Sequence, residues 1–208
     1  SGLKDFDIGT WFGVLAPAGT PKEVTTRLAD EMIKVIRSAD FQKKMTTPEF
    51  HWLLGKHINA IEEELGVTSP SLLSTCYRRS VPIFVGAVQD GSIFLNVVKL
   101  KRLLGPEFKF ELDVNDDVYE MAAIQHYCRH HFDQRMAVWI LGGGVPKNYT
   151  LQGEPLLDQI LNVPTQGFDI DVQFCVDPVD NGALSSCPAG EGHTWGKVSA
   201  EGIRRAIA

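Results

Sequence analysis

Apolar positions along this chain alternate between two spacings. "TWFGVLA" (10–16) gathers aromatic and branched residues into a short run, which predicts a strand. "PAGTP" (17–21) predicts a turn, with Thr20 as cap and Pro21 at a first helical position. Val24, Leu28, Met32, Val35 and Ile36 then recur at helical spacing over 22–38. The polar stretch 38–50, which contains Pro48, predicts a boundary. Further helices are predicted at 51–66, closed by Gly66, and at 69–77, 92–104 and 115–130. "VPIFVGAV" (81–88) reads as a compact strand and "FKFELDV" (108–114) alternates like one.

"MAVWIL" (136–141) is the strongest buried-strand pattern in the chain. It runs into Gly142, Gly143 and Gly144 and then a helix over 147–161. A last strand at 168–176 precedes a long Gly/Ser/Pro loop and a short terminal helix. Strands alternating with helices predict an α/β layer structure with a mainly parallel sheet. In such sheets ligands sit beyond the carboxyl ends of strands, which selects the loops after Val88, Leu141 and Val176.

Composition narrows the classes. The 208 residues can bury one good core, or one core and a small appendage. A net charge of −6 argues against a dedicated nucleic-acid binder and leaves room for a cationic ligand. No apolar run reaches the length of a membrane span, and no signal-peptide pattern opens the chain. "SGLKDF" lacks an initiator methionine and reads as a processed or excerpted start. Cys76, Cys128, Cys175 and Cys187 are scattered without a C-x-x-C pair, so reduced thiols in a cytoplasmic protein are expected, without zinc. His126, His130 and His131 likewise lack a metal-ligand spacing.

Three loops carry candidate chemistry. The three glycines of "ILGGGVPKN" let the backbone approach a ligand and form an anion nest, although the spacing is not G-x-G-x-x-G. The same residues equally make a tight turn with no ligand. Asp90, Gly91 and Ser92 follow a predicted strand; a carboxylate there binds ribose hydroxyls or, more commonly, caps a helix. In "GEGHTWGKVS", Lys197 becomes a nucleophile if its surroundings expose a neutral amine. Trp195 offers an apolar wall or a cation–π face, and Glu191 a partner for a cation. Spacing alone leaves all three as an ordinary lysine, tryptophan and glutamate.

From about 50 to 199 the chain resembles deoxyhypusine synthase and its bacterial deoxyhypusine synthase-like relatives. The resemblance rests on "VPIFVGAVQDGSIF", "ILGGGVPKN", "GFDIDVQF" and above all "GEGHTWGKVS", in the family's order. It implies a Rossmann-like core with helices on both faces of a mainly parallel sheet. It also implies an NAD-dependent transferase that assembles as a homotetramer. Such enzymes oxidise spermidine, hold its aminobutyl group as an imine on a lysine, and pass it to a lysine of an acceptor protein. Wider relatives pass it to a free polyamine. Lys197 matches the imine-forming lysine, and Glu191 and Trp195 match positions that hold the polyamine. Asp90, with Gly91 and Ser92 beside it, and Gly142, Gly143 and Gly144 match positions that line NAD, as does Asp180 with a small loop shift.

Departures from the pattern fall in the substrate site. Asn148 stands where hypusine-forming enzymes carry a histidine, Gln152 where they carry an asparagine, and Leu95 where a second acidic residue is expected. The loop before Glu191, "NGALSSC", lacks the family's further aspartate. Fewer carboxylates weaken recognition of a multiply charged polyamine. The chain is also truncated relative to the family, whose amino-terminal half supplies further strands and cofactor contacts, and whose final strand and helix are expected to be missing.

Residues 1–46 resemble instead the tripartite tricarboxylate receptors, or Bug-type periplasmic solute-binding proteins, through "WFGVLAPAGTPKEVTTRLADEMIKVIRS". Two regions are therefore expected: a receptor-like strand–helix segment at 1–46 and a deoxyhypusine synthase-like region at 47–208, packed as one domain. In that arrangement the strand at 10–16 fills a vacated sheet edge. Three function classes stay open: the NAD-dependent transferase or a fragment of it, a remnant of a carboxylate-binding receptor, and a structural chimera without activity.

Overall fold

The computed structural model describes residues 21–132, 135–178, 181, 185 and 189–207. The expected strand at 10–16 and Asp180 lie outside these residues. The chain divides into two compact units, the first formed by residues up to Met45, Glu49–Ile83 and Ala87–Glu111, the second by Thr46–Pro48, Phe84–Gly86 and the chain from Leu112 onward. Among the described residues no helix is long and apolar enough to cross a membrane.

The first unit is helical around aromatic rings. Helix α1 (Lys22–Ile36) has Pro21 as its N-cap, one residue later than the Thr20 cap predicted from sequence. Helix α2 (Thr47–Glu64) begins before the expected 51 and takes Pro48 into its first turn, where proline's missing N–H has no intrahelical partner to lose. Gly66 closes it at φ +64. Helix α3 (Leu72–Arg79) starts at Ser71, whose hydroxyl accepts from the Ser74 N–H at 3.2 Å. Helix α4 (Ser92–Leu104) matches its expected span and buries Phe94, Val97 and Leu100, one stripe at threefold spacing. Phe50 is fully buried, its ring centroid 5.4 Å from Phe41, 5.3 Å from Phe94 and 5.4 Å from Phe110. Those offset and edge contacts are the geometry aromatic quadrupoles favour.

Two sequence expectations fail here. The strand predicted at 81–88 is not a strand: its residues precede a 3-10 turn at Val88–Asp90 without joining a ladder. The Val85 N–H instead donates to the Thr47 hydroxyl at 3.2 Å, and a strand without a partner's carbonyls is not sustained by composition. The strand predicted at 108–114 shrinks to two residues, Glu111–Leu112, labelled β2; β1 is the equally short Lys44–Met45.

The second unit has a three-stranded parallel sheet in the order β3–β4–β5, from Ala137–Leu141, Phe168–Phe174 and Val198–Ile207. The mixed α/β class with a parallel sheet agrees with the sequence reading. The short terminal helix does not exist: the chain from Val198 to Ile207 runs beside β4, with Asp171 opposite Arg204 and Phe174 opposite Ile207. A strand rather than a helix therefore follows the Lys197 turn. The helix predicted from 147 starts at Val145 as α6 (Val145–Leu151), continues through Gly153–Pro155 and ends in a π turn at Leu156–Ile160.

Among the described residues β3 pairs with β4 alone, and only one of its faces is buried. Val138 and Ile140 join Met136, Leu151, Phe168 and Val198 in a cluster against Cys128 of α5 (Val114–Phe132). Trp139 and Leu141, on the opposite face, are 71% and 77% exposed. The continuous apolar run predicted a buried strand; only the face toward α5 is covered, which leaves Trp139 and Leu141 open. At about 1.5–3 kcal/mol per fully buried aliphatic side chain, Val138 and Ile140 supply much of what holds this strand.

Candidate functional site

Lys197 lies on a turn built by its own neighbours. Ala189–Gly192 form one helical turn and His193–Trp195 a 3-10 turn. Gly196 at φ +68 reverses the chain, a conformation that side-chain-bearing residues rarely adopt. The Thr194 hydroxyl donates to the Glu191 carbonyl, and the Lys197 N–H to the Gly192 carbonyl, both at 3.0 Å. On the other side the Phe168 N–H donates to the Lys197 carbonyl at 2.9 Å. The backbone of Lys197 is thus held between its own turn and the start of β4.

That second contact needs Gly167. A Cβ there would stand 2.6 Å from the Gly196 carbonyl oxygen and 2.8 Å from the Val198 nitrogen, both backbone atoms, at φ +74. A buried carboxylate fixes the same turn. Glu154, 1% exposed, accepts through Oε2 from the Thr165 hydroxyl and from the Gly167 N–H at 3.0 Å. Burial pushes its carboxyl above the usual range, opposed by Thr165, the Arg129 charge and the Gly167 N–H. Arg129 donates to the Gly167 carbonyl and reaches Asp169 at 3.5 Å, and Asp169 accepts from the Met136 N–H at 2.8 Å. Glu154, Arg129 and Gly167 were all missed from sequence. The available signal was spacing, because Lys147, Leu151 and Glu154 fall at i, i+4 and i+7 on one buried stripe.

The Lys197 side chain is partly buried, and its Nζ donates to Asn148 Oδ1 at 2.9 Å. Asn148 sits on α6, immediately after the glycine turn. Gly142 and Gly143 take φ +75 and +107, and a Cβ on Gly143 would meet Ile140 Cγ2 at 2.5 Å. Gly142 and Gly144 have open space where a Cβ would stand. Gln173 ties this turn to β4: its amide nitrogen donates to the Gly142 carbonyl at 2.9 Å, and its oxygen accepts from the buried Lys147 Nζ at 2.9 Å. The Gly142 N–H also donates to the Phe174 carbonyl at 2.7 Å.

A cavity of about 250 Å³ opens beside Asn148, with Gln152 also in its wall and apolar surface from Val118, Met121, Val145 and Tyr149. The Tyr149 hydroxyl is buried without a hydrogen-bond partner among the described residues. Burial, followed by the charges of Asp117 and Glu120, pushes its phenol above the ordinary value, so it stays protonated.

The second unit therefore brings Lys197 and Asn148 into contact, puts Asn148 and Gln152 on one cavity, and sets Gly142, Gly143 and Gly144 on one sheet-end turn. Glu191 and Trp195 lie on the Lys197 turn, both exposed, Trp195 at 59%. Asp90, Gly91 and Ser92 belong to the first unit. The capping role considered for Asp90 is not what forms: Gly91 is the N-cap of α4 and Asp90 precedes it, exposed. Among the described residues no group of three or more His, Cys, Asp or Glu side chains is placed to hold a metal ion.

The deoxyhypusine synthase family model matches residues 19–207. This chain belongs to the deoxyhypusine synthase family. A deoxyhypusine synthase-like protein of Nostoc punctiforme is 41% identical over 174 residues, covering 84% of this chain and 44% of its own. A probable deoxyhypusine synthase 2 of Methanosarcina acetivorans is 33% identical over 178 residues, covering 83% and 46%. The deoxyhypusine synthase-like protein of Chlorobaculum tepidum is 29% identical over 175 residues, covering 83% and 46%. The chain thus spans a little under half the length of these relatives. The family match starts at residue 19, ahead of the 50 expected from sequence, and so includes α1.

Proposed function

We propose that this chain carries the imine-forming half of a deoxyhypusine synthase-like reaction, an NAD-dependent transfer of the aminobutyl group of spermidine through Lys197. The carrying observation is the Lys197 Nζ to Asn148 Oδ1 contact at 2.9 Å, on a lysine whose backbone is held from both sides. Asn148 accepts from Nζ whether the amine is charged or neutral, so it orients the nitrogen without requiring protonation. A neutral, oriented amine is what attack on an iminium carbon needs.

The glycine turn fits a cofactor in one respect: Gly142 and Gly144 present bare backbone to open space that a Cβ would enter. In this reading Gly142, Gly143 and Gly144 line NAD. Bound NAD⁺ supplies the hydride acceptor for the carbon next to the secondary amine of spermidine. Lys197 Nζ then bonds to that carbon, the bond to the leaving nitrogen breaks, and 1,3-diaminopropane departs with the proton Nζ releases. Glu191, Trp195, Asn148 and Gln152 hold the polyamine. A protein lysine or a free polyamine takes the group onward, in the cytoplasm and in a homotetramer, with no nucleic acid or membrane involved.

The remaining sequence-based reading assigns 1–46 to a receptor-like segment and 47–208 to the synthase-like region. "WFGVLAPAGTP" supports it, and binding of small dicarboxylates without NAD is its signature. The transferase reading is tested by incubating the folded protein with NAD⁺ and spermidine. Released 1,3-diaminopropane, absent from Lys197→Arg, supports it. No release from folded protein overturns it and leaves a chimera without this activity.

A further inference from the structure

The cavity beside Asn148 bears on which donor this chain prefers. Its apolar wall comes from Val118 and Met121 of α5 and from Val145 and Tyr149 of α6, and its polar wall from two neutral amides, Asn148 and Gln152. Among the described residues no carboxylate lines it. Asp117 and Glu120 lie near enough to act on the Tyr149 phenol through space, yet neither is in the wall. Asp117 is engaged elsewhere, Oδ1 accepting from the Thr47 N–H at 2.6 Å and Oδ2 from the Thr47 hydroxyl at 2.8 Å. An ammonium in this cavity would meet neutral amides rather than a carboxylate of the described wall, whereas methylene groups would meet apolar surface.

A group bonded to Lys197 Nζ starts next to Asn148, at the cavity's edge. At about 250 Å³ the space suits a short chain rather than a drug-sized molecule. We propose that this cavity takes the transferred arm of the donor as an aliphatic chain without a terminal ammonium, making an N-alkyl diamine the preferred donor class over a polyamine. Spermidine remains a donor; the alkyl diamine is the better ligand. The inference rests on Lys197 as the imine former. The atoms balance as for spermidine: the hydride leaves the carbon beside the secondary amine for NAD⁺, the Nζ–carbon bond forms, and 1,3-diaminopropane leaves with the released proton.

The probes are N-butyl-1,3-diaminopropane and spermidine, which differ by one terminal amine on the transferred arm. Calorimetric titration of the 208-residue protein, with NAD⁺ present, should give at least about tenfold tighter binding of the N-butyl compound. Val118→Asp, at a position already 40% exposed, puts a carboxylate into the wall and should reverse the order. Met121→Glu repeats the test from the next position in the wall. Equal or tighter binding of spermidine by the unsubstituted protein overturns the proposal, as does failure to bind either probe. The Lys197 assignment is read separately by butanal and borohydride, which condense with a reactive amine, lose water and reduce the imine. A butyl mass on Lys197 with spermidine preferred sinks the cavity proposal alone; no butyl mass with the N-butyl compound preferred sinks the lysine assignment alone.

Discussion

The two faces of the β3–β4–β5 sheet differ in what they bury and what they leave open. The covered face pairs Val138 with Asp171 and Ile140 with Gln173, and packs the buried Lys147 against Gln173. The open face pairs Trp139 with Val172 and Leu141 with Phe174, and the rings of Trp139 and Phe174 stack at 5.6 Å. The covered face mixes the polar Asp171, Gln173 and Lys147 with the apolar Val138 and Ile140, whereas the open face carries the exposed Trp139 and Leu141. Burying a charge is costly unless hydrogen bonds satisfy it, so the inner groups hold defined positions rather than merely fill space. Gln173 and Lys147 fasten the glycine turn at the carboxyl end of the sheet, where ligands bind in this class of fold, whereas the Lys197 turn joins the amino ends of β4 and β5.

Substitutions on β3 and α6 sharpen that contrast. Ile140→Ala empties a packed site and should lower unfolding free energy by about 3 kcal/mol in urea titration. Lys147→Met keeps the length but leaves the Gln173 oxygen without this donor, and should cost about 2 kcal/mol in the same measurement.

Glu154 gives a pH test. Its folded value is raised above the ordinary 4.5, so the stability it contributes is full below about pH 4.5 and is lost as pH rises through the folded value. Glu154→Gln keeps an oxygen to accept from Thr165 and Gly167 and should flatten that decline in urea titrations run across the pH range. A decline of unchanged size would assign it to other groups. Leu141→Ala, one residue from Ile140 but 77% exposed, should change stability by less than about 0.5 kcal/mol. A loss comparable with that of Ile140→Ala would mean the open face is covered.

What was legible in the sequence was local. Helix α4 kept its expected span because Phe94, Val97 and Leu100 encode a stripe and Gly105 ends it at φ +55. Strand β4 and the glycine turn were legible for the same reason. The terminal strand was not: "EGIRRAIA" contains good helix formers, and only the β4 ladder makes it a strand. "VPIFVGAV" failed in the opposite direction, having strand composition without a partner. Lys147 and Glu154 were passed over because charged residues ordinarily face water, although their spacing with Leu151 placed them on the buried side. Asn148 was noticed as a departure from a histidine, and its contact with Lys197 Nζ needed the fold.

The central claim is that Lys197 carries the transferred group. Borohydride reduction of the protein with NAD⁺ and spermidine, followed by peptide mass mapping, tests it most directly. An aminobutyl mass on Lys197, absent when NAD⁺ is omitted, is the expected result. Folded protein with no added mass, or with the mass on another lysine, contradicts it.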